Sequence, residues 1–256
     1  MKRLQTLKDE GGKAFVAYIM AGDGGLDRLR GQVEYLQGTG VTAIEIGIPF
    51  SDPVADGPVI EEAGNRALSE GVTLDRVLLE MKSWNLEMKI PLIVMTYLNP
   101  VIRYGAERFA AACRDAGVSA VIIPDLPFEH QQLVAPYLKS ADITLIQLVT
   151  LTTTENRLRD ILAAAEGFVY AVTVTGITGV RDELTQDVKE FMKDVRAESP
   201  VPVYAGFGIS KQEQIDMLRD DVDGFIVGSA IVKAFHDNKI EDIEPLIDAV
   251  TRSNPV

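Results

Sequence analysis

The chain has 256 residues, 46% of them hydrophobic, and a formal net charge of −13 at pH 7. That length and apolar content suffice for one substantial core, because α/β barrels of about 250 residues commonly form a single domain. The acidic balance repels polyanions, and no basic run or aromatic-spaced basic stripe offsets it, so nucleic acid is not an expected partner.

The opening MKRLQTLKDEGG, Met1 to Gly12, mixes charges with apolar residues and lacks the unbroken apolar run of a signal peptide or membrane span. The chain is therefore expected to be soluble and cytoplasmic. Beyond it, short β-branched runs alternate with longer segments of helical period, and no linker, low-complexity tract or repeat divides residues 1–256. Eight strands are predicted: Phe15–Met20, Ala43–Ile48, Leu92–Thr96, Ala120–Ile123, Thr144–Leu148, Phe168–Val172, Val203–Ala205 and Gly224–Val227.

Between them, Leu74, Val77, Leu78, Met81 and Trp84 form one helical stripe, and Leu158, Ile161, Leu162 and Ala165 another. The lone Cys113 falls in line with Phe109, Ala112 and Ala116, which suits a small core residue. Thr152 with Glu155, and Ser210 with Glu213, have capping-box spacing, while Gly117 and Gly167 stand where helices should stop. Strands apolar on both faces, each followed by a helix, predict a single (β/α)8 TIM barrel with an extra N-terminal helix. An open doubly wound sheet is the alternative, but no GxGxxG follows the first strand.

In such a barrel the chemistry sits at the carboxyl ends of the strands. Glu45 interrupts the second strand between Ile44 and Ile46, and period-two alternation turns it into the barrel. Loss of hydration there moves a carboxylate pKa upward, towards the range of a group that both gives and takes a proton. Asp52 and Asp56 lie in the following loop, which Pro53 and Pro58 stiffen. Glycine-bearing junctions follow strands six to eight at Thr175–Gly179, Gly206–Ser210 and Gly228–Ala230. With a short helix beginning at Ser229, they predict a phosphate site built from backbone N–H groups. His130 and His236 stand apart, without acidic or cysteine partners at ligand spacing, so no metal is expected.

The segment IEIGIPFSDPVADG, from Ile44 to Gly57, resembles almost letter for letter the signature of tryptophan synthase α subunits. The resemblance continues in FVAYIMAGD, VMTYLNP, IIPDLPFE, YAVTVTGITG, GFGIS and VGSAIV, in the same order and spacing. It implies retro-aldol cleavage of indole-3-glycerol phosphate to indole and glyceraldehyde 3-phosphate, with Glu45 as acid/base and Asp56 holding the indole N–H. It further implies a phosphate cradle of Gly179, Gly208, Gly228 and Ser229. Tyr18, Met95, Tyr170 and Phe207 would line the pocket, and Thr178 would close on Asp56 from a mobile sixth loop. Asp52, Pro53, Asn99 and Pro127 would face a β subunit that carries pyridoxal phosphate in an α2β2 heterotetramer, leaving this chain without a cofactor. Tyr18 stands where the family often has Phe, Met95 where it has Leu, and Val174 where a basic residue can precede the loop. Three readings compete: another phosphate-binding barrel enzyme, a stand-alone indole-glycerol-phosphate lyase, and a chain that chiefly activates a partner.

Overall fold

Every apolar run named above lies in a strand of one parallel sheet. The computed structural model describes residues 1–84, 88–173, 181–252 and 254. The strands are β1 (Ala14–Met20), β2 (Ala43–Gly47), β3 (Leu92–Met95), β4 (Val118–Ile122), β5 (Thr144–Leu145), β6 (Gln147–Thr150), β7 (Val169–Val172), β8 (Val203–Gly206) and β9 (Gly224–Val227). A helix, Lys2–Asp9, precedes β1, as expected. Residues of β1, β2, β3, β8 and β9 are buried throughout, which requires cover on both faces: helices outside and side chains inside.

The sheet runs in the order β5-β4-β3-β2-β1-β9-β8-β7-β6. Its two ends are consecutive in the chain. The predicted fifth strand is therefore corrected to two short strands that flank Ile146 and reach on to Thr150. The cause is the stagger that a closed barrel imposes on its strands. Thr144 and Leu145 pair with β4, whereas Gln147 to Thr150 pair with β7. The Ile146 N–H still bonds the Val121 carbonyl at 2.9 Å, so one continuous run of chain joins both edges and the wall has the eight segments of a TIM barrel.

The helical stripes behave as their period requires. Leu74, Val77, Leu78, Met81 and Trp84 are buried, as are Ile161, Leu162 and Ala165, and Cys113 lies wholly in the core beside Phe109. Gly117 and Gly167 both take the left-handed conformation, with φ of +74° and +72°, that turns a chain out of a helix towards a strand. Both capping boxes need correction. The helix Glu155–Ala163 starts after Thr154, while Thr152 and Thr153 use their hydroxyls on Thr150 and bind the preceding turn. The helix Gln212–Leu218 starts after Lys211, and the Gln214 carbonyl oxygen accepts from the N–H groups of Ser210 and Lys211 at 2.9 and 3.0 Å. Short polar side chains bond whichever backbone group is nearest, so spacing alone misplaces the first cap by two residues and the second by one. Among the described residues no helix is long and apolar enough to cross a membrane.

At the amino-terminal end of the barrel, Asp223 is 3% exposed just before β9. Its carboxylate accepts from Arg196 Nε at 2.8 Å and from the Val203 N–H at 3.0 Å, and it lies 3.3 Å from Lys8 Nζ. One buried charge thus ties the first helix, the helix Arg181–Glu198 and the start of β8 together. Asp223→Ala should destabilise the fold by about 2–4 kcal/mol, because it strands a buried N–H and loosens two cations. Urea unfolding checks the loss, and turnover per folded molecule should stay unchanged, since the cluster lies at the end of the barrel opposite the loops expected to carry the chemistry.

Candidate active site

The alternation of β2 puts Ile44 and Ile46 against the helices and Glu45 inside the barrel, fully buried. Across the sheet Glu45 is level with Tyr18 on β1 and Ile93 on β3. Both of its carboxylate oxygens lie out of solvent with no hydrogen-bond partner among the described residues. Burial, reinforced by repulsion from Asp56, raises its pKa to about 8.

A cavity of about 950 Å³ opens above it at the carboxyl ends of the strands. The expected residues Tyr18, Glu45, Asp56, Met95, Tyr170, Phe207, Gly208, Gly228 and Ser229 all line it. Thr178 and Gly179, with Val174, lie outside the described residues. Two tyrosines occupy their places because of glycines to which no such role was given. A Cβ on Gly47 would run into the ring and hydroxyl of Tyr18, and one on Gly206 into those of Tyr170. A glycine ending a strand otherwise made of larger residues is the sequence signal for such a close approach.

Asp56 is half-buried, and its pKa is raised by burial and by the charge of Glu61, while a hydrogen bond from Tyr97 opposes the rise. Tyr97 appears in the sequence only as a letter of VMTYLNP. Its position two residues beyond inward-facing Met95 was the available clue.

The opposite wall presents the backbone N–H groups of a helix start. Gly228 precedes the helix Ser229–Asp237, whose first hydrogen bond runs from the Val232 N–H to the Gly228 carbonyl at 2.9 Å. The N–H groups of Ser229, Ala230 and Ile231 therefore have no carbonyl to serve inside the helix and face its positive end. On the neighbouring strand end, Phe207 takes φ +58°, a conformation costly for a bulky residue. It is held there by the Thr173 hydroxyl, which bonds the carbonyls of Gly206 and Phe207, and by the Tyr170 ring, with centroids 5.2 Å apart. Strain kept in place at a cavity wall sets Gly208 at the mouth.

The four residues expected to meet a partner sit on the same rim. Asp52 and Pro53 lie in the loop after β2, Asn99 in the helix Leu98–Tyr104 and Pro127 after β4. Asp52, Asn99 and Pro127 are exposed and Pro53 is half-buried. Val54 beside them is 78% exposed, a large apolar side chain that the sequence reading passed over. Both histidines are exposed, and among the described residues no cluster of His, Cys, Asp and Glu could hold a metal ion.

Comparison with known proteins gives the same direction. A family model described as tryptophan synthase alpha chain matches residues 4–254. The tryptophan synthase alpha chain of Bacillus mycoides (strain KBAB4) is 47% identical over 242 residues, covering 94% of each chain. The tryptophan synthase subunit alpha structure from Campylobacter jejuni is 30% identical and covers 96% of this chain and 98% of its own, with a TM-score of 0.84. A chain of the tryptophan synthase complex of Pyrococcus furiosus is 29% identical and covers 93% and 97%, with a TM-score of 0.81.

The buried carboxyl group has a thermodynamic signature. Glu45 has a folded pKa of about 8 against its ordinary value of 4.5, so between those pH values the folded chain keeps a proton that the unfolded chain has released. Stability from this group is present below pH 4.5, falls as pH rises through the window and levels off above about pH 8. Glu45→Gln should remove that fall and leave the variant more stable than the parent by a few kcal/mol at pH 9, at about 1.4 kcal/mol per pH unit of the window. Urea midpoints of both proteins from pH 5 to 9 measure it; parallel curves would mean that Glu45 is not desolvated.

Proposed function

The chain belongs to the tryptophan synthase alpha chain family, and on that premise we propose that Glu45 and Asp56 carry out its cleavage reaction in the cavity described above. The protein is a carbon–carbon lyase of tryptophan biosynthesis, which splits indole-3-glycerol phosphate into indole and glyceraldehyde 3-phosphate. The observation that carries the residue assignment is the pair of unpartnered Glu45 oxygens, fully buried on the cavity floor. A carboxyl group left with no protein partner is free to exchange its proton with a ligand.

The chemistry follows from that proton. With a pKa near 8, Glu45 is protonated at neutral pH and gives its proton to indole C3. Positive charge then gathers on the ring nitrogen, where the Asp56 carboxylate accepts the N–H. Glu45, now ionised, takes the proton of the C3′ hydroxyl. The O–H electrons form the aldehyde C=O, the C3–C3′ bond breaks, and its electron pair returns to the ring and neutralises the nitrogen. Glu45 ends protonated, ready for another turnover. Acid/base help of this kind contributes about 10² to 10⁴ in rate, and positioning of the substrate supplies much of the rest.

Phosphate is held by the N–H groups around Gly208, Gly228 and Ser229, with Gly179 of the sixth loop completing the cradle, and Thr178 of the same loop closes on Asp56 and shuts out water. Tyr18, Met95, Tyr170 and Phe207 enclose the indole and glycerol parts. Residues 1–256 work as one domain in the cytoplasm. The rim of Asp52, Pro53, Asn99 and Pro127 receives a β subunit in an α2β2 assembly, and pyridoxal phosphate belongs to that partner. The presence of a tryptophan synthase complex among the similar structures supports the partner.

Glu45→Gln should reduce indole formation at least 100-fold while leaving glycerol phosphate affinity intact; retention of more than a few per cent activity would remove Glu45 from the acid/base role. Gly228→Asp brings a negative charge to the anion site beside Tyr18, whose Cδ1 a Cβ would touch at 3.4 Å. It should weaken glycerol phosphate binding at least 10-fold by calorimetry, at about 1.4 kcal/mol for each tenfold; an unchanged Kd would move the phosphate elsewhere. Indole production should rise when the cognate β subunit is added, and fast turnover with no response would favour a stand-alone lyase.

A further inference from the structure

One buried hydroxyl beside the cleavage site has no part in the scheme above. Tyr97 is 3% exposed and continues the inward face of β3. Its oxygen accepts a hydrogen bond from the Ala55 N–H at 3.2 Å, which leaves the hydroxyl proton for the carboxylate of Asp56, the next residue. Among the described residues, these are the contacts that tie Ala55 and Asp56 to another element by hydrogen bonds. The tyrosine itself is firmly placed. Its ring packs against Phe50 with centroids 5.3 Å apart, and the N–H of Leu98, immediately after it, bonds Asp125 Oδ1 at 2.8 Å. Phe50 stands at the head of the loop after β2 and Asp125 lies after β4, so three strand ends meet at this ring.

We propose that Tyr97 is a positioning residue for the cleavage: its hydroxyl, shared between the Ala55 N–H and the Asp56 carboxylate, fixes the loop so that Asp56 meets the indole N–H. The inference rests on the reading of Asp56 as the group that receives that N–H. A loop carboxylate anchored at one end alone would sweep through positions from which it could not hold the ring, and misplacement of a reacting group by about 1 Å can cost 10²-fold in rate. The same hydroxyl acts on charge. Asp56 faces the acids Glu45 and Glu61 and the hydroxyls of Tyr18, Tyr170 and Tyr97, with Asp125 behind Tyr97. Burial and Glu61 disfavour its ionised form, whereas the Tyr97 hydrogen bond favours it. Removing the hydroxyl therefore raises the Asp56 pKa, and the acid limb of the pH–rate profile moves to higher pH.

The test is Tyr97→Phe in the full chain, assayed for indole formation with its cognate β subunit and alone, beside Asp56→Asn. The expected result is a fall of about 10- to 100-fold, carried by kcat more than KM. The acid limb of kcat/KM should move up by about half a pH unit or more, with glycerol phosphate affinity unchanged. Parental turnover with an unmoved limb overturns the proposal, as does a loss of glycerol phosphate affinity equal to the loss of kcat, which would mark a merely structural role. Full activity in Asp56→Asn would instead overturn the reading of Asp56. Should the Phe variant fail to fold, 3-fluorotyrosine at position 97 decides: its more acidic hydroxyl donates more strongly and moves the acid limb to lower pH, and an unmoved limb overturns the proposal.

Discussion

Closure of the parallel sheet at Ile146 is the constraint on which everything else depends. A run of seven residues from Thr144 to Thr150 serves β4 with its first part and β7 with its last, and an open sheet would leave two unpaired edges there. Once the wall is complete, every inward side chain competes for a dry interior, and a carboxyl group placed among them is held away from water. The raised pKa of Glu45 is thus a property of the barrel as much as of the residue. The same wall aligns eight strand ends into one ring, so that an acid from β2, tyrosines from β1 and β7 and a helix start after β9 converge on one space.

The two ends of the barrel divide the work. At the amino-terminal end a buried charge, Asp223, is fully satisfied by a guanidinium, an ammonium and a backbone N–H. At the carboxyl end a buried carboxyl group, Glu45, is left with none of these and keeps its proton at neutral pH. Equal burial with opposite degrees of satisfaction separates a structural carboxylate from one suited to chemistry, and neither burial nor residue type alone would do so.

Much of this was legible in the sequence. Glu45 stood out because one acidic residue interrupted an apolar strand, and the proposed anion site because glycines recurred at three successive strand ends. Both signals are local and repeat at short spacing. What was missed depends on distant parts of the chain. The split of the fifth strand reflects stagger around the whole wall, and Tyr97 gains its meaning from Ala55 and Asp56, about forty positions earlier. The capping residues erred by one or two positions because several hydroxyls and amides compete for the same N–H groups. Asp223 carries no local signal in the sequence, since its three partners come from three separate segments.

Gly47 and Gly206 carry a consequence for how the pocket can change with time. Each is a floor on which an aromatic side chain lies, so a larger residue at either position is admissible only after Tyr18 or Tyr170 has become smaller or turned away. Drift in this wall must then proceed by ordered pairs of substitutions, with the ring yielding first and the backbone position following. A directed-evolution library that varies one residue at a time samples only half of each pair and leaves the other wall shapes unreached.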